Sequence, residues 1–374
     1  MEQRVRTIRK FSVDYPLLLI VALGFFIFTT SIGCATPSSQ EETTPLDLTA
    51  HHMRGEESYQ KEIKAEIALF PLENFTDDRN AVEYVMPLLR EKLEEKGISV
   101  LDEESLDTLL IKERVRSTGY ISKELANKVG EEFNVKAIFV GDVNSFYGGS
   151  NPRVGFSARL INASDGSIIW ADHASATGED FVGILGLGRI GTIEKLTNRV
   201  LNKLLDSFTT TPRYKAKEST YTIAVMPFKN ESRIKKAGII AMNMFIEELF
   251  KSAKFEPLEY GEVRMLVVKL RVRSKGELDF KNTGAIEDYA GVNGILVGTV
   301  EHYSEGKSSA PPEVIISARL IDVRKNRILW YDGYQYKGDD SISIFDWGRI
   351  RSAENVAYEV VSKLVKGMSK AKWQ

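Results

Sequence analysis

Apolar positions along the chain fall into two patterns, which predict short strands alternating with helices. The run "EIALFPL" ends at Pro71 and is typical of a strand buried on both faces. The following stretch, "AVEYVMPLLREKLEEKG", places Val85, Leu89 and Leu93 on one side of a helix. A short strand is then predicted over "ISVLD". Two more helices are predicted over "EESLDTLLIKERV" and "ISKELANKVGEEFN", the second starting at Ser122.

Three strands and a helix complete the pattern. The strands are predicted over "KAIFVGDVNSFY", "GFSARLINA" and "SIIWADHAS", with a hairpin turn at Asp165-Gly166 between the last two. The helix covers "GTIEKLTNRVLNKLLDSF". Strands that alternate with helices and end in a meander indicate an α/β domain with a mixed sheet.

The whole pattern occurs twice. "IALFPLEN" (67–74) recurs as "IAVMPFKN" (223–230), and "FSARLINASDGSIIWADH" (156–173) recurs as "ISARLIDVRKNRILWYDG" (316–333) with eight of eighteen positions identical. Matching positions are 156 residues apart at the start of the repeat and 160 at its end, as expected for a tandem duplication. The predicted organisation is two tandem copies of one mixed-sheet α/β domain, at 62–208 and 220–367, with a linker at 209–219.

The amino terminus predicts export. Basic "MEQRVRTIRK", apolar "YPLLLIVALGFFIF" and small "TTSIGCA" make a secretory signal peptide over residues 1–33. Cys34, the sole cysteine, follows at the place of the acylated cysteine in a bacterial lipobox, although Ser31 stands where leucine is usual. An uncleaved anchor over 15–33 is the alternative, because 19 residues can span a membrane. The polar stretch 34–61 predicts a flexible tether.

The composition and the motifs of the chain argue against a catalytic, cofactor or metal site. A net charge of −2 gives no reason to expect nucleic-acid binding. A single cysteine excludes an internal disulfide, and the lipidation role excludes a cysteine nucleophile. No G-x-S-x-G, H-E-x-x-H or P-loop spelling occurs. The adjacent pair His51-His52 lacks further ligands, while His173 and His302 occupy different repeat positions. We therefore predict no catalytic, cofactor or metal site and no enzyme activity.

One sequence motif favours the opposite conclusion, that the chain binds a dinucleotide. Gly186, Gly188 and Gly191 form G-x-G-x-x-G, the fingerprint of a dinucleotide-binding turn. That turn should follow the first strand of a βαβ unit, whereas here it comes at the end of the repeat. In the second copy, aspartate and arginine replace the first and third glycines, and only the middle one is kept, as Gly348. We expect a tight structural loop in which Arg189 pairs with a carboxylate, and an NAD-binding enzyme stays a remote alternative.

The ordered motifs "IALFPLEN", "SLDTLLIKERVRSTG", "VGDV" and "SARLINASDGSIIWAD" resemble the CsgG family, the curli production assembly/transport lipoproteins. The elements also resemble the amino-terminal domain of the TolB translocation protein. The resemblance covers both copies. It implies a lipoprotein of the bacterial envelope whose domains serve protein assembly.

These observations together predict a lipid-anchored binding or assembly protein on the periplasmic side of the outer membrane. Acyl chains on Cys34 would contact the membrane, and other envelope proteins would be partners, with homo-oligomer formation left open. The alternative is a subunit of an oligomeric outer-membrane secretion channel. Against it, the loops at 144–156 and 176–191 lack the length of two membrane-crossing hairpins each.

Overall fold

The computed structural model describes residues 65–182, 188–211, 221–252, 254–269, 291–306, 310–342 and 348–371. The predictions for the signal peptide, for Cys34, for the tether and for most of the linker lie outside the described residues, as does Gly186. Within the described ranges, no helix has both the length and the apolar character needed to cross a membrane.

The first half, residues 65–211, forms a mixed sheet with four helices. Its elements are β1 (Ile67–Leu69), β2 (Glu73–Asn74), α1 (Ala81–Glu95), α2 (Glu103–Lys112), α3 (Lys123–Phe133), β3 (Ala137–Tyr147), β4 (Arg153–Asn162), β5 (Ile168–Thr177) and α4 (Ile193–Leu205). The strand order is β1-β3-β4-β5. Both β1 and β2 run parallel to β3, whereas β3, β4 and β5 form an antiparallel meander.

The second half, residues 221–371, forms a second mixed sheet with three helices among its described residues. Its elements are β6 (Tyr221–Val225), β7 (Lys229–Asn230), α5 (Ala237–Lys251), β8 (Phe255–Pro257), α6 (Tyr260–Lys269), β9 (Gly294–Ser304), β10 (Glu313–Asp322), β11 (Arg327–Lys337) and α7 (Ala353–Lys370). The strand order is β11-β10-β9-β6-β8. The mixed-sheet α/β prediction is confirmed. The division into independent domains at the stated boundaries stays a prediction.

Local predictions hold at the final hairpins. Trp170 and Trp330 each lie opposite the leucine of their "SARLI" segment, so the two hairpins correspond strand for strand. Gly166 has a φ of +73° and Asn326 a φ of +48°, the left-handed conformation that both residue types tolerate in a turn. The short strand expected over "ISVLD" is wrong as a strand. In the first half, Val100 makes only an isolated bridge, because α2 is capped at Asp102 immediately afterwards.

Helices α5 and α7 lie between the two sheets. They pack on the strands of their own half, and α5 also contacts β4 and β5 of the first half, as α7 contacts β5. Helix α5 is buried on nearly every side, from Ala237 to Phe250, whereas α1 at the same repeat position buries one stripe. A helix that carries apolar residues on every side is expected to be buried on every side. The described parts of both halves accordingly belong to one compact unit.

Candidate functional site

The glycine loop identified in the sequence has a structural role. It follows β5, which is antiparallel to its neighbour and is the last strand of its half, so no βαβ unit is present there. Gly188 and Gly348 have φ values of +94° and +91°, in agreement with a tight backbone at this position. Arg189 lies 3.4 Å from the Glu179 carboxylate and donates to the Ser150 carbonyl at 3.0 Å. The expected pairing with a carboxylate is confirmed.

Most buried polar groups of the described residues instead line the contact between the two halves. We call this contact the polar seam. It has a first-half side on β3, β4 and β5 and a second-half side on α5, α7 and the turn before α6. The members are Asp142, Asn144, Ser145, Ser157, Arg159, Asp172, His173 and Ser175 on the first side, and Asn243, Glu247, Lys251, Glu259, Ser352, Glu354, Asn355 and Tyr358 on the second.

A buried ion pair lies at the centre of the seam. Arg159, on β4, has a side chain that is 0% exposed, and its Nε donates to Glu259 Oε2 at 2.9 Å. Its Nη2 donates to the carbonyl of Gly119 at 2.7 Å. Because the Glu259 side chain is 1% exposed, neither charge is compensated by water. The two halves are therefore held in one register at this pair.

Two carboxyls flank that ion pair. Asp142 Oδ2 accepts from Asn243 Nδ2 at 2.7 Å. Burial raises the pKa of Asp142 to about 7, although Arg159 and the Asn243 hydrogen bond both lower it. Burial also raises the pKa of Glu247 well above its usual range, and neither carboxyl oxygen of Glu247 has a hydrogen-bond partner among the described residues. Burial thus favours the neutral form of Glu247, the form whose burial costs least.

A third carboxyl joins α7 to the first sheet. Glu354 accepts from Asn144 Nδ2 at 3.2 Å and from Ser145 Oγ at 2.9 Å. Burial raises the pKa of Glu354 to about 8, even though both hydrogen bonds lower it. A Cβ at Gly155 would lie 1.8 Å from a Glu354 oxygen, so the glycine leaves the space that this carboxyl fills.

The seam ends in an aromatic and charged cluster. The His173 ring stacks on Tyr358 with centroids 3.4 Å apart. Lys251 Nζ contacts Asp172 Oδ1 at 2.7 Å and Tyr358 Oη at 2.6 Å. Tyr358 in turn donates to Glu248. Burial lowers the pKa of His173 well below its usual range, and Lys251 lowers it further, so the ring is neutral.

These groups hold the halves together. Shifted pKa values often mark active sites, but here each shift comes mainly from burial between packed elements. No group of histidine, cysteine, aspartate or glutamate side chains in the described ranges has a metal-binding arrangement. The seam was not predicted from the sequence. The lipidation candidate Cys34 lies outside the described residues.

Comparisons with known proteins give loosely related structures. The chain matches no family model and no curated protein. The PelC dodecamer of Paraburkholderia phytofirmans is 16% identical, with a TM-score of 0.28 over 41% of this chain and 90% of PelC. Lipoprotein GNA1162 of Neisseria meningitidis is 18% identical, with a TM-score of 0.28 over 38% and 99%. TolB of Acinetobacter baumannii is 17% identical, with a TM-score of 0.21 over 41% and 30%.

All three proteins come from bacteria, and GNA1162 is a lipoprotein. At these identities and TM-scores the similarities establish no family for this chain. The resemblance to the CsgG family therefore stays an expectation from the sequence motifs.

Proposed function

We propose that this chain is an exported, lipid-anchored protein of the bacterial envelope that acts as a binding or assembly module on the periplasmic side of the outer membrane. The observation that carries the proposal is the position of Cys34. It is the sole cysteine of the chain and follows directly after a basic, then apolar, then small-residue leader. Two acyl chains on one residue anchor a protein stably, whereas one chain binds a membrane reversibly.

The polar seam supports a binding role over an enzymatic one. Asp142 and Glu354, whose pKa values are raised by burial, lie with Arg159 inside the contact between the halves, and the three residues are each at most 2% exposed. A catalytic group must touch its substrate, and a side chain enclosed on both sides by packed elements cannot. We therefore assign these residues to the scaffold, and the binding surface to the exposed faces of the two halves.

Replacement of Cys34 by serine tests the anchor. We expect Cys34→Ser to abolish incorporation of a labelled fatty acid and to release the protein from washed membranes. Ser38→Ala, a few residues further along the predicted tether, is the matched control and should keep both properties. Labelling that persists in Cys34→Ser would overturn the lipoprotein assignment. Membrane association without label would show instead that residues 15–33 are retained as a span.

A further inference from the structure

The second sheet has an open face where the first sheet has the polar seam. Along β10 and β11, outward-facing residues pair in register, with Arg319 opposite Tyr331 and Ser317 opposite Gly333. Tyr331 is 60% exposed. The repeat spacing of 160 residues makes Arg319 the counterpart of the buried Arg159. The open face consists of Tyr331, Gly333 and Gln335, which are exposed, and of Ile315, Ser317 and Arg319, which are half-buried.

The first half carries the complementary surface. Helices α5 and α7 cover the first sheet, and their repeat counterparts are α1 and α4. On α1, Glu91 occupies the repeat position of Glu247, and on α4, Glu194 occupies the repeat position of Glu354. Both Glu91 and Glu194 are exposed, whereas Glu247 and Glu354 are buried in the seam. Asp102 is exposed and stands in the place of Glu259. Among the described residues, each molecule thus presents one partly exposed sheet face and one exposed helix pair.

The charges at the centre of these two surfaces are opposite. Suppose that a second molecule places its first half against the second sheet as the second half lies against the first sheet within one chain. Arg319 of one molecule then lies beside Asp102 of the other, as Arg159 lies beside Glu259 within one chain. His302, the counterpart of Ser145, would lie beside Glu194. Among the described residues, the Arg319 side chain has no hydrogen-bond or ion-pair partner within its own chain. Two pairs oppose the contact, because Asp332 would approach Glu95, and Glu301, the counterpart of Asn144, would approach Glu194.

We propose that the open face of the second half binds the α1 and α4 surface of a second copy of this chain, so that the polar seam is repeated head to tail between molecules. Such a contact joins unlike surfaces, so it extends into a ring or a chain of molecules instead of ending at a dimer. The contact is weaker than the internal seam, because α1 carries the exposed Glu83 and Tyr84 where α5 carries Ile239 and Ile240. Opposite charges at its centre make it sensitive to salt.

The proposal does not depend on the lipid anchor and is tested on the full chain in detergent. Sedimentation velocity in density-matched detergent should show a mass that rises with protein concentration and falls in about 0.5 M salt. Arg319→Glu and Asp102→Arg should each weaken association at least tenfold. Lys325→Glu makes the same charge change at the exposed tip of the β10–β11 hairpin and should leave association unchanged.

An equimolar mixture of Arg319→Glu with Asp102→Arg is the decisive measurement. In the mixture, each type of contact can again pair opposite charges, so association should recover. A wild-type chain that stays monomeric at every concentration would overturn the proposal, as would association that survives Arg319→Glu or a mixture that does not recover. Repeating the series in Cys34→Ser separates this contact from the anchor, since head-to-tail association should persist without acyl chains.

Discussion

Replacing Arg159 by methionine removes the cation at the centre of the polar seam and keeps an unbranched side chain of similar length. The change deletes the hydrogen bond to Glu259 at 2.9 Å and the one to the Gly119 carbonyl at 2.7 Å. Glu259 then remains as a carboxylate that is 1% exposed and has lost its cation. Asp142 loses the nearby positive charge that holds its pKa down.

The expected loss of stability is large because the remaining Glu259 carboxylate cannot reach water. Removing one partner of a buried ion pair costs about 3–5 kcal/mol. Domains are stable by only about 5–15 kcal/mol, so Arg159→Met should remove a substantial part of the free energy of unfolding. The repeat supplies a matched control, since Arg319→Met deletes the same group from the open face. There the cost should stay within about 0.5 kcal/mol.

Urea unfolding followed by tryptophan fluorescence measures both free energies, at a protein concentration low enough to keep intermolecular association out of the result. The double variant Arg159→Met with Glu259→Leu should be more stable than Arg159→Met alone, because it no longer buries an uncompensated carboxylate. An Arg159→Met protein within about 1 kcal/mol of wild type, or equal losses for Arg159→Met and Arg319→Met, would refute the assignment of this pair to the seam.

Two further predictions concern protons and close packing. The pKa values of Asp142 and Glu354 are raised by folding from 3.8 and 4.5 to about 7 and about 8, so the folded state holds protons that the unfolded state has released. Stability should therefore fall as pH rises through this range, by on the order of 2–4 kcal/mol between pH 6 and pH 8, and Glu354→Gln should flatten the profile. A wild-type profile that is flat or rises with pH would contradict this. A Cβ at Gly261 would lie 2.0 Å from the Ile121 carbonyl oxygen, so Gly261→Ala should cost about 1–3 kcal/mol in thermal unfolding. Gly191→Ala, with nothing within 4 Å of the added atom, should be nearly neutral, and equal losses in the two variants would contradict the close approach.

Features encoded by neighbouring residues were predictable from the sequence. Ser122 caps α3 by accepting from the Leu125 N–H, as expected from the residue type and its place before an apolar period. The hairpin turns at Gly166 and Asn326 follow from the conformations those residues tolerate. Both depend on contacts within a few positions, which is the distance over which a single sequence specifies structure.

The polar seam was not predicted because its partners are far apart in the chain. Arg159 and Glu259 are separated by 100 residues, and each alone resembles an ordinary surface charge. A signal was nevertheless present in the comparison of the two copies. Glu83 and Tyr84 of α1 correspond to Ile239 and Ile240 of α5, so the second copy of the helix is apolar on the side where the first is polar. That difference indicates a helix buried on both sides.

The arginines of the two "SARLI" segments show why repeat identity alone does not determine environment. Arg159 and Arg319 occupy the same position on the same strand, yet Arg159 is fully buried and paired while Arg319 lies on the open face. The difference comes from the covering surface, which the described residues of the chain supply for the first sheet and not for the second. A covalent connection keeps the internal partner at an effective concentration of about millimolar, so even a polar contact forms permanently. The same contact between two molecules has no covalent connection, so it depends on the protein concentration. The duplicated surfaces would thus make two kinds of contact. Within each chain they form a permanent seam, and between chains they form a contact that depends on concentration.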